Sequence, residues 1–283
     1  MDAPAGIAPY PRLDIAAPTS TGVDAAPGRV LQEWRDNDGR LVASGGSAPG
    51  PGWWMYWPGL ATYWFGAAGP VTVVPIAAGF DDQLRDIFVR GVMPVVLLAR
   101  GHEALHASAV LTPTGVIVLC GTSGTGKSTL AAALASLGLN HFADDSVVYR
   151  IANGEARATA LPFPVRVDPA ALRSFANRNG GAAVQHAGRS GPAAIQRVYH
   201  LVRDMTVPAE RPRFTPESPV KRFELLLSHA HPFEMGGADR HRQFLERLLI
   251  LARSVPVWEC RFAPALESLP TFARAVAAHA AEQ

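Results

Sequence analysis

The chain has 283 residues, a formal net charge of +2, 48% hydrophobic residues and 18% charged ones. That length suits one or two domains with a sizeable core, and the apolar fraction excludes disorder along the whole chain. So small a positive excess excludes the electrostatic footprint of a nucleic-acid binder, and no apolar run reaches the length of a membrane span. The N-terminus shows no basic segment followed by an apolar one, so no signal peptide is expected. Two cysteines, Cys120 and Cys260, are too few for a disulfide framework, which points to a reducing cytoplasm. All but two of the 26 basic residues are arginine; the lysines are Lys127 and Lys221.

In chain order, residues 1–28 repeat Ala and Pro and read as a flexible arm. Residues 29–90 read as a β-rich region. Asp36-Asn37-Asp38-Gly39 between two apolar stretches signals a hairpin over 29–44. An aromatic burst follows, from Trp53 to Phe65, and then a strand over Val71–Ile76. Packing in a small sheet accounts for these rings; a platform for a peptide or a base is the alternative. Leu84, Ile87 and Phe88 have helical spacing after Asp81-Asp82, which predicts a helix over 81–90. Val92–Leu98 is an apolar run broken by Pro94, either a helix start or a buried segment.

Residues 91–283 read as one further domain, an α/β core. Strands are expected over 105–110, 115–120 and 139–143, and again over 162–167, 198–202, 223–227 and 255–262. Helices are expected over 129–137, 168–175 and 243–254, with one or two over 265–281. Residues 177–192 form a glycine-rich stretch with the length of a mobile lid, where Arg178 or Arg189 could meet a transferring group. Arg166 and Arg173 are alternatives for an acceptor's carboxylate. His229, His231 and His241 lack the spaced partners of a metal set. Arg240, Arg242 and Arg247 fall on a polar helix face that reads as solvated.

The strong motif is Gly121-Thr122-Ser123-Gly124-Thr125-Gly126-Lys127-Ser128, a full match to G-x-x-x-x-G-K-[ST]. It is preceded by the apolar β-branched run 115–120 and followed, from Thr129, by helix formers ending at Gly138. Strand, glycine-rich loop and helix together make a phosphate loop. Backbone N–H groups and the helix N-terminus face the phosphates. Lys127 reaches the β- and γ-phosphates, and the Ser128 hydroxyl ligates Mg²⁺.

Two neighbours narrow the chemistry. Asp144 and Asp145 follow Lys127 by a helix, a turn and a strand expected to lie beside the loop's own strand. One carboxylate there could hold metal and the other accept a proton from a hydroxyl nucleophile. His106 lies in an alternating segment that leads through Thr112-Pro113-Thr114-Gly115 into the loop strand. If that turn closes a hairpin, 111 lies opposite 116 and 106 opposite 121, so His106 stands beside the first glycine of the loop. An antiparallel strand running into the loop strand is unusual for doubly wound nucleotide folds.

These residues resemble the HPr kinase/phosphorylase family, in the stretch from about 90 to 151. The shared features are His106-Ala107, the loop Gly121–Ser128, and Ala143-Asp144-Asp145 at the family's intervals. The resemblance implies a P-loop kinase core of the phosphoenolpyruvate carboxykinase type, here behind a β-rich N-terminal region. It implies ATP or GTP with Mg²⁺, and phosphoserine as product. It implies Asp144 as the base, Asp145 and Ser128 at the metal, and His106 near the phosphates. The family's E-[IV]-R-G-x-G segment has no counterpart, which separates this chain from HPr itself as substrate and from reverse phosphorolysis. The wording around Gly91–Pro94 and Leu105–Val110 looks more like HPr-kinase-like proteins of ribosomal-peptide biosynthesis, including kinases of the C-terminal serine of lasso peptide precursors. The expected partners are therefore a nucleotide and a peptide or small protein, seated with help from the aromatic region, with a homo-oligomer left open. A small-molecule kinase, a nucleotide-binding regulator and a phosphatase-like protein are the competing classes.

Overall fold

The computed structural model describes residues 10–18, 24–36, 38–161 and 191–282. The expected strand over 162–167, the helix over 168–175, most of the lid stretch, and Arg166, Arg173, Arg178 and Arg189 lie outside them. The chain divides into two compact units. The first runs to His102 and includes Pro232–Arg242; the second comprises Glu103–His231 and the chain from Gln243. The boundary expected at 90/91 falls inside a π-helical turn, Phe88–Val92. That turn joins α1 (Asp81–Ile87) to α2 (Met93–Ala99), so the helical stretch runs on past it.

The first unit is built on a six-stranded sheet. In chain order its strands are β1 (Leu13–Ile15), β2 (Gln32–Arg35), β3 (Leu41–Ser47), β4 (Trp53–Trp57), β5 (Ala61–Phe65) and β6 (Val71–Pro75). Their spatial order is β1-β6-β5-β4-β3-β2, antiparallel except for β1 beside β6. The hairpin over 29–44 forms as expected, with Trp34 opposite Ala43. The arm is not free throughout: Leu13–Ile15 pairs with Val71–Val73, and the Asp24 carboxylate accepts hydrogen bonds from the Tyr56 hydroxyl and the Gly59 amide. The aromatic burst packs: Trp54 and Tyr63 are fully buried, and the Tyr63 hydroxyl donates to the Leu84 carbonyl at 2.9 Å. Burial of a ring needs room, and Gly46 supplies it. A Cβ there would lie 2.2 Å from the Arg29 carbonyl oxygen and 2.6 Å from the Trp54 ring.

The second unit carries the loop. Its strands are β7 (Glu103–Leu105), β8 (Ala107–Leu111), β9 (Val116–Cys120), β10 (Asn140–Ala143), β11 (Val147–Ala152), β12 (Glu155–Thr159), β13 (Ala193–Arg203), β14 (Arg213–Pro216) and β15 (Val257–Phe262). Its helices are α3 (Lys127–Ser136), α4 (Pro219–Ser228), α5 (Gly237–Ser254, from Gln243 on) and α6 (Leu269–Ala281). The main strand path is β10-β8-β9-β13-β12-β11-β7, and β15 pairs with β13 and β14. β13 runs parallel to both β9 and β15, whereas β8 meets β9 antiparallel. β9 is buried at every residue because both sheet faces are covered. Leu130, Leu134, Phe272 and Val276 of α3 and α6 pack on Ile117 and Leu119, while Leu226, Phe244 and Leu248 of α4 and α5 join Val116 and Val118 in the opposite core. Each such side chain contributes about 1.5–3 kcal/mol on burial.

Three expectations are corrected here. β10 does not lie beside β9; β8 intervenes, with Asn140 opposite Leu111. Residues 223–227 are helical, not a strand. Ser218 caps α4 by accepting from the Lys221 amide, Pro219 opens it, and Phe223, Leu226 and Leu227 have helical spacing. Arg247 is not merely solvated: it pairs at 2.9 Å with Glu103, which is fully buried and needs that partner.

Candidate functional site

β9 delivers the chain into the loop. Gly124 and Gly126 take left-handed backbone angles, φ +75° and +107°, which bend the loop back over the start of α3. Thr125 holds the bend: its amide and its hydroxyl both donate to the Thr122 carbonyl, at 3.1 and 2.6 Å. Thr122, Ser123 and Gly124 stay exposed at the crest. Gly126 caps α3 without a side-chain acceptor, and the first turn holds no acidic residue. The unsatisfied N–H groups of that turn therefore face outward with the positive end of the helix dipole. This open, positive helix end fits an anion such as a phosphate group.

The Lys127 amine folds back over the loop. It donates to the Gly121 carbonyl at 2.9 Å and the Thr122 carbonyl at 3.3 Å. Burial lowers its pKa, against the opposing pull of Cys120, Asp145 and Asp144. Cys120 itself is a free buried thiol pushed up to about 12 by burial, so it is no nucleophile.

The hairpin register is the expected one, with Leu111 opposite Val116 and Ala107 opposite Cys120. His106 falls in the break where the chain passes from β7, paired to β11, into β8. Its Nδ1 lies 3.2 Å from the Asp145 carbonyl oxygen and its Nε2 lies 3.3 Å from the Lys127 amine. This pattern fits the tautomer with the proton on Nδ1, donating to the carbonyl, while Nε2 accepts from lysine. His106 thus ties the loop lysine to the backbone of the acidic pair.

Asp144 and Asp145 follow β10 and diverge. Asp144 is buried, and its Oδ1 accepts from the Ser128 hydroxyl at 2.6 Å and the Ser108 hydroxyl at 2.7 Å. Asp145 adopts φ +61° and leaves its side chain exposed. The left-handed turn explains how adjacent residues escape the simple two-face alternation of a strand. The carboxylate that meets Ser128 is therefore Asp144, and the one that faces solvent is Asp145. Hydroxyl and carboxylate oxygens together are the donor set that suits Mg²⁺.

Two residues of this site escaped the sequence reading. Ser108 is an inward-facing polar residue on β8, and nothing local marks it. Arg203, at the end of β13, donates to the Gly124 and Thr125 carbonyls and clips the loop from the far side. Four histidines also gather nearby: the His106 and His231 rings lie 5.7 Å apart, and those of His200 and His229 lie 5.6 Å apart. His241 belongs to the first unit. Among the described residues, His200, Glu217 and Glu259 form a three-residue set with ligand atoms within 4.8 Å of one another, but Arg261 already engages both Glu259 oxygens, at 2.6 and 3.0 Å.

No family model matches this sequence, and no curated protein does. Solved structures that match include one described as the HPr(Ser) kinase/phosphatase from Coxiella burnetii. The similarity is 14% in sequence identity with a TM-score of 0.35, covering 62% of this chain and 89% of that one. No helix among the described residues is long and apolar enough to cross a membrane.

Proposed function

We propose that this chain is a Mg²⁺-dependent kinase that moves the γ-phosphoryl group of ATP or GTP onto a serine hydroxyl of a peptide or small protein. The finer proposal, the C-terminal serine of a lasso peptide precursor, rests on the sequence resemblance over residues 90–151. The observation that carries the reading is the convergence of Lys127, Ser128, Asp144 and His106 at one phosphate loop, with Asp145 exposed beside them.

Ser128 and Asp144 would hold the metal, because their oxygens already meet at 2.6 Å. When bound there, Mg²⁺ supplies charge neutralisation at the phosphates. Asp145 is the base, since an acceptor can reach its exposed carboxylate. This exchanges the roles that the sequence resemblance implies for Asp144 and Asp145. Asp145 takes the proton of the serine hydroxyl as that oxygen bonds to phosphorus and the bond to the nucleoside diphosphate oxygen breaks. The Lys127 amine and the unpaired amides of the loop and of the first turn of α3 face the charge on the transferring group, held before reaction by the contacts above. His106 keeps the amine in place.

The test is incubation with γ-labelled ATP, Mg²⁺ and a panel of serine-ended peptides. The unmodified chain should yield phosphoserine. Asp145→Asn should lose about 10²–10⁴-fold in rate while still binding nucleotide, and Asp144→Asn should weaken Mg²⁺-dependent nucleotide binding. If Asp144→Asn instead binds normally and fails only in transfer, the base is Asp144. Nucleotide binding with no peptide phosphorylated would turn the reading to a small-molecule kinase or a regulator.

A further inference from the structure

A polar cluster lies on the α4 side of the second unit's sheet, across that sheet from α3. β13 and β15 run parallel, with Val198 opposite Val257 and His200 opposite Glu259. Val198 and Val257 join the core under α4 and α5, so His200 and Glu259, two residues further on, point to the same face. Glu217 comes from the segment between β14 and α4. Its amide donates to the Val257 carbonyl at 2.9 Å, and Ser218 after it caps α4. One imidazole and two carboxylates thus meet from three parts of the chain, with ligand atoms within 4.8 Å of one another.

All three side chains are half-buried. The His200 Nδ1 is enclosed and has no hydrogen-bond partner among the described residues, a state that a buried polar atom rarely holds without a water or an ion. Two carboxylates beside an imidazole ordinarily raise its pKa; here burial outweighs Glu259 and Glu217 and lowers it. The ring is therefore neutral at pH 7, the form that ligates metals. Arg261 does not take a metal's place. Its guanidinium forks onto Glu259, using one lone pair on each oxygen and leaving another. Glu259 so held has a fixed orientation, as ligating carboxylates usually do. In a tetrahedral zinc site the ligand atoms stand roughly 3.4 Å apart, and the glutamate side chains reach that spacing by rotation about their own bonds.

We propose that His200, Glu217 and Glu259 hold a divalent transition-metal ion of the zinc class, which fastens β13 and β15 to the start of α4. The imidazole sets this cluster apart from the all-oxygen pair Ser128 and Asp144, which suits Mg²⁺. The inference stands on these three residues and not on the kinase reading.

Calorimetric titration of the chelator-stripped full chain with Zn²⁺ tests it, with excess Mg²⁺ present to occupy oxygen-only sites. One equivalent should bind with a dissociation constant of about 1 μM or tighter, and it should raise Tm. Glu217→Gln and His200→Gln should each weaken that equivalent about tenfold or more. Glu217→Gln keeps the size of the side chain and serves if the His200 variant does not fold. Asp144→Asn should leave the equivalent in place. The absence of a tight Zn²⁺ equivalent would overturn the site. So would unchanged affinity in both variants, which would put the ion on other histidines, or loss of the equivalent in Asp144→Asn, which would put it at the phosphate loop.

Discussion

His229 buries an imidazole whose Nε2 has no partner among the described residues. Burial, and then the positive charges of His200, Lys127, His106 and His231, push its pKa down to about 4. A histidine so depressed favours the fold in its neutral form. The unfolded chain takes up its proton near pH 6.5, before the native chain does. Stability from this group is therefore complete above that value and is lost as pH falls towards 4. His200 and His231 are shifted in the same direction, also first by burial. The denaturant midpoint should accordingly fall between pH 7 and pH 5, and His229→Gln should flatten that fall. Parallel pH profiles for the two proteins would show that His229 carries none of it.

Strand β3 shows how one position governs an element. Gly46→Ala sets a methyl group 2.2 Å from the Arg29 carbonyl oxygen and against the buried Trp54 ring. The backbone oxygen cannot move aside as a flexible side chain would, so the substitution should cost about 1–3 kcal/mol or more. A thermal melt would register it as a clear fall in Tm; an unchanged Tm would mean that the sheet yields there. Elements like β3, β9 and α3 were legible because their signals are local: alternation, a turn, a glycine-rich loop and a helix-forming run. The pairing of β10 with β8 was not, since it joins segments thirty residues apart and no local pattern encodes the partner. Residues 223–227 misled because a short apolar run fits strand and helix alike, although Ser218 and Pro219 held the helix-start signal. In the site, the loop and His106 were legible from motif and register. The parting of the two carboxylates, Asp144 buried against Ser128 and Asp145 exposed, was not, because it turns on one backbone angle at Asp145.

Across the whole molecule, the scarcity of lysine turns ordinary amine chemistry into a site-specific probe. Apart from the N-terminus, only Lys127 and Lys221 carry primary amines. Lys221 is exposed on α4, whereas Lys127 is only 7% exposed under its own loop. Burial lowers the Lys127 pKa and so raises the fraction of free amine at neutral pH, but access limits its rate. An acylating ester should therefore label Lys221 first and Lys127 more slowly. A nucleotide on the loop engages the Lys127 amine and blocks the approach from solvent. Saturating MgATP should thus protect Lys127 by tenfold or more, which corresponds to about 1.4 kcal/mol, and leave Lys221 untouched, as peptide mass spectrometry would read. Equal labelling of Lys127 with and without MgATP would remove the lysine from the phosphate site. Protection of both amines would instead mean a change of structure well beyond the loop, since Lys221 lies on another element of the second unit.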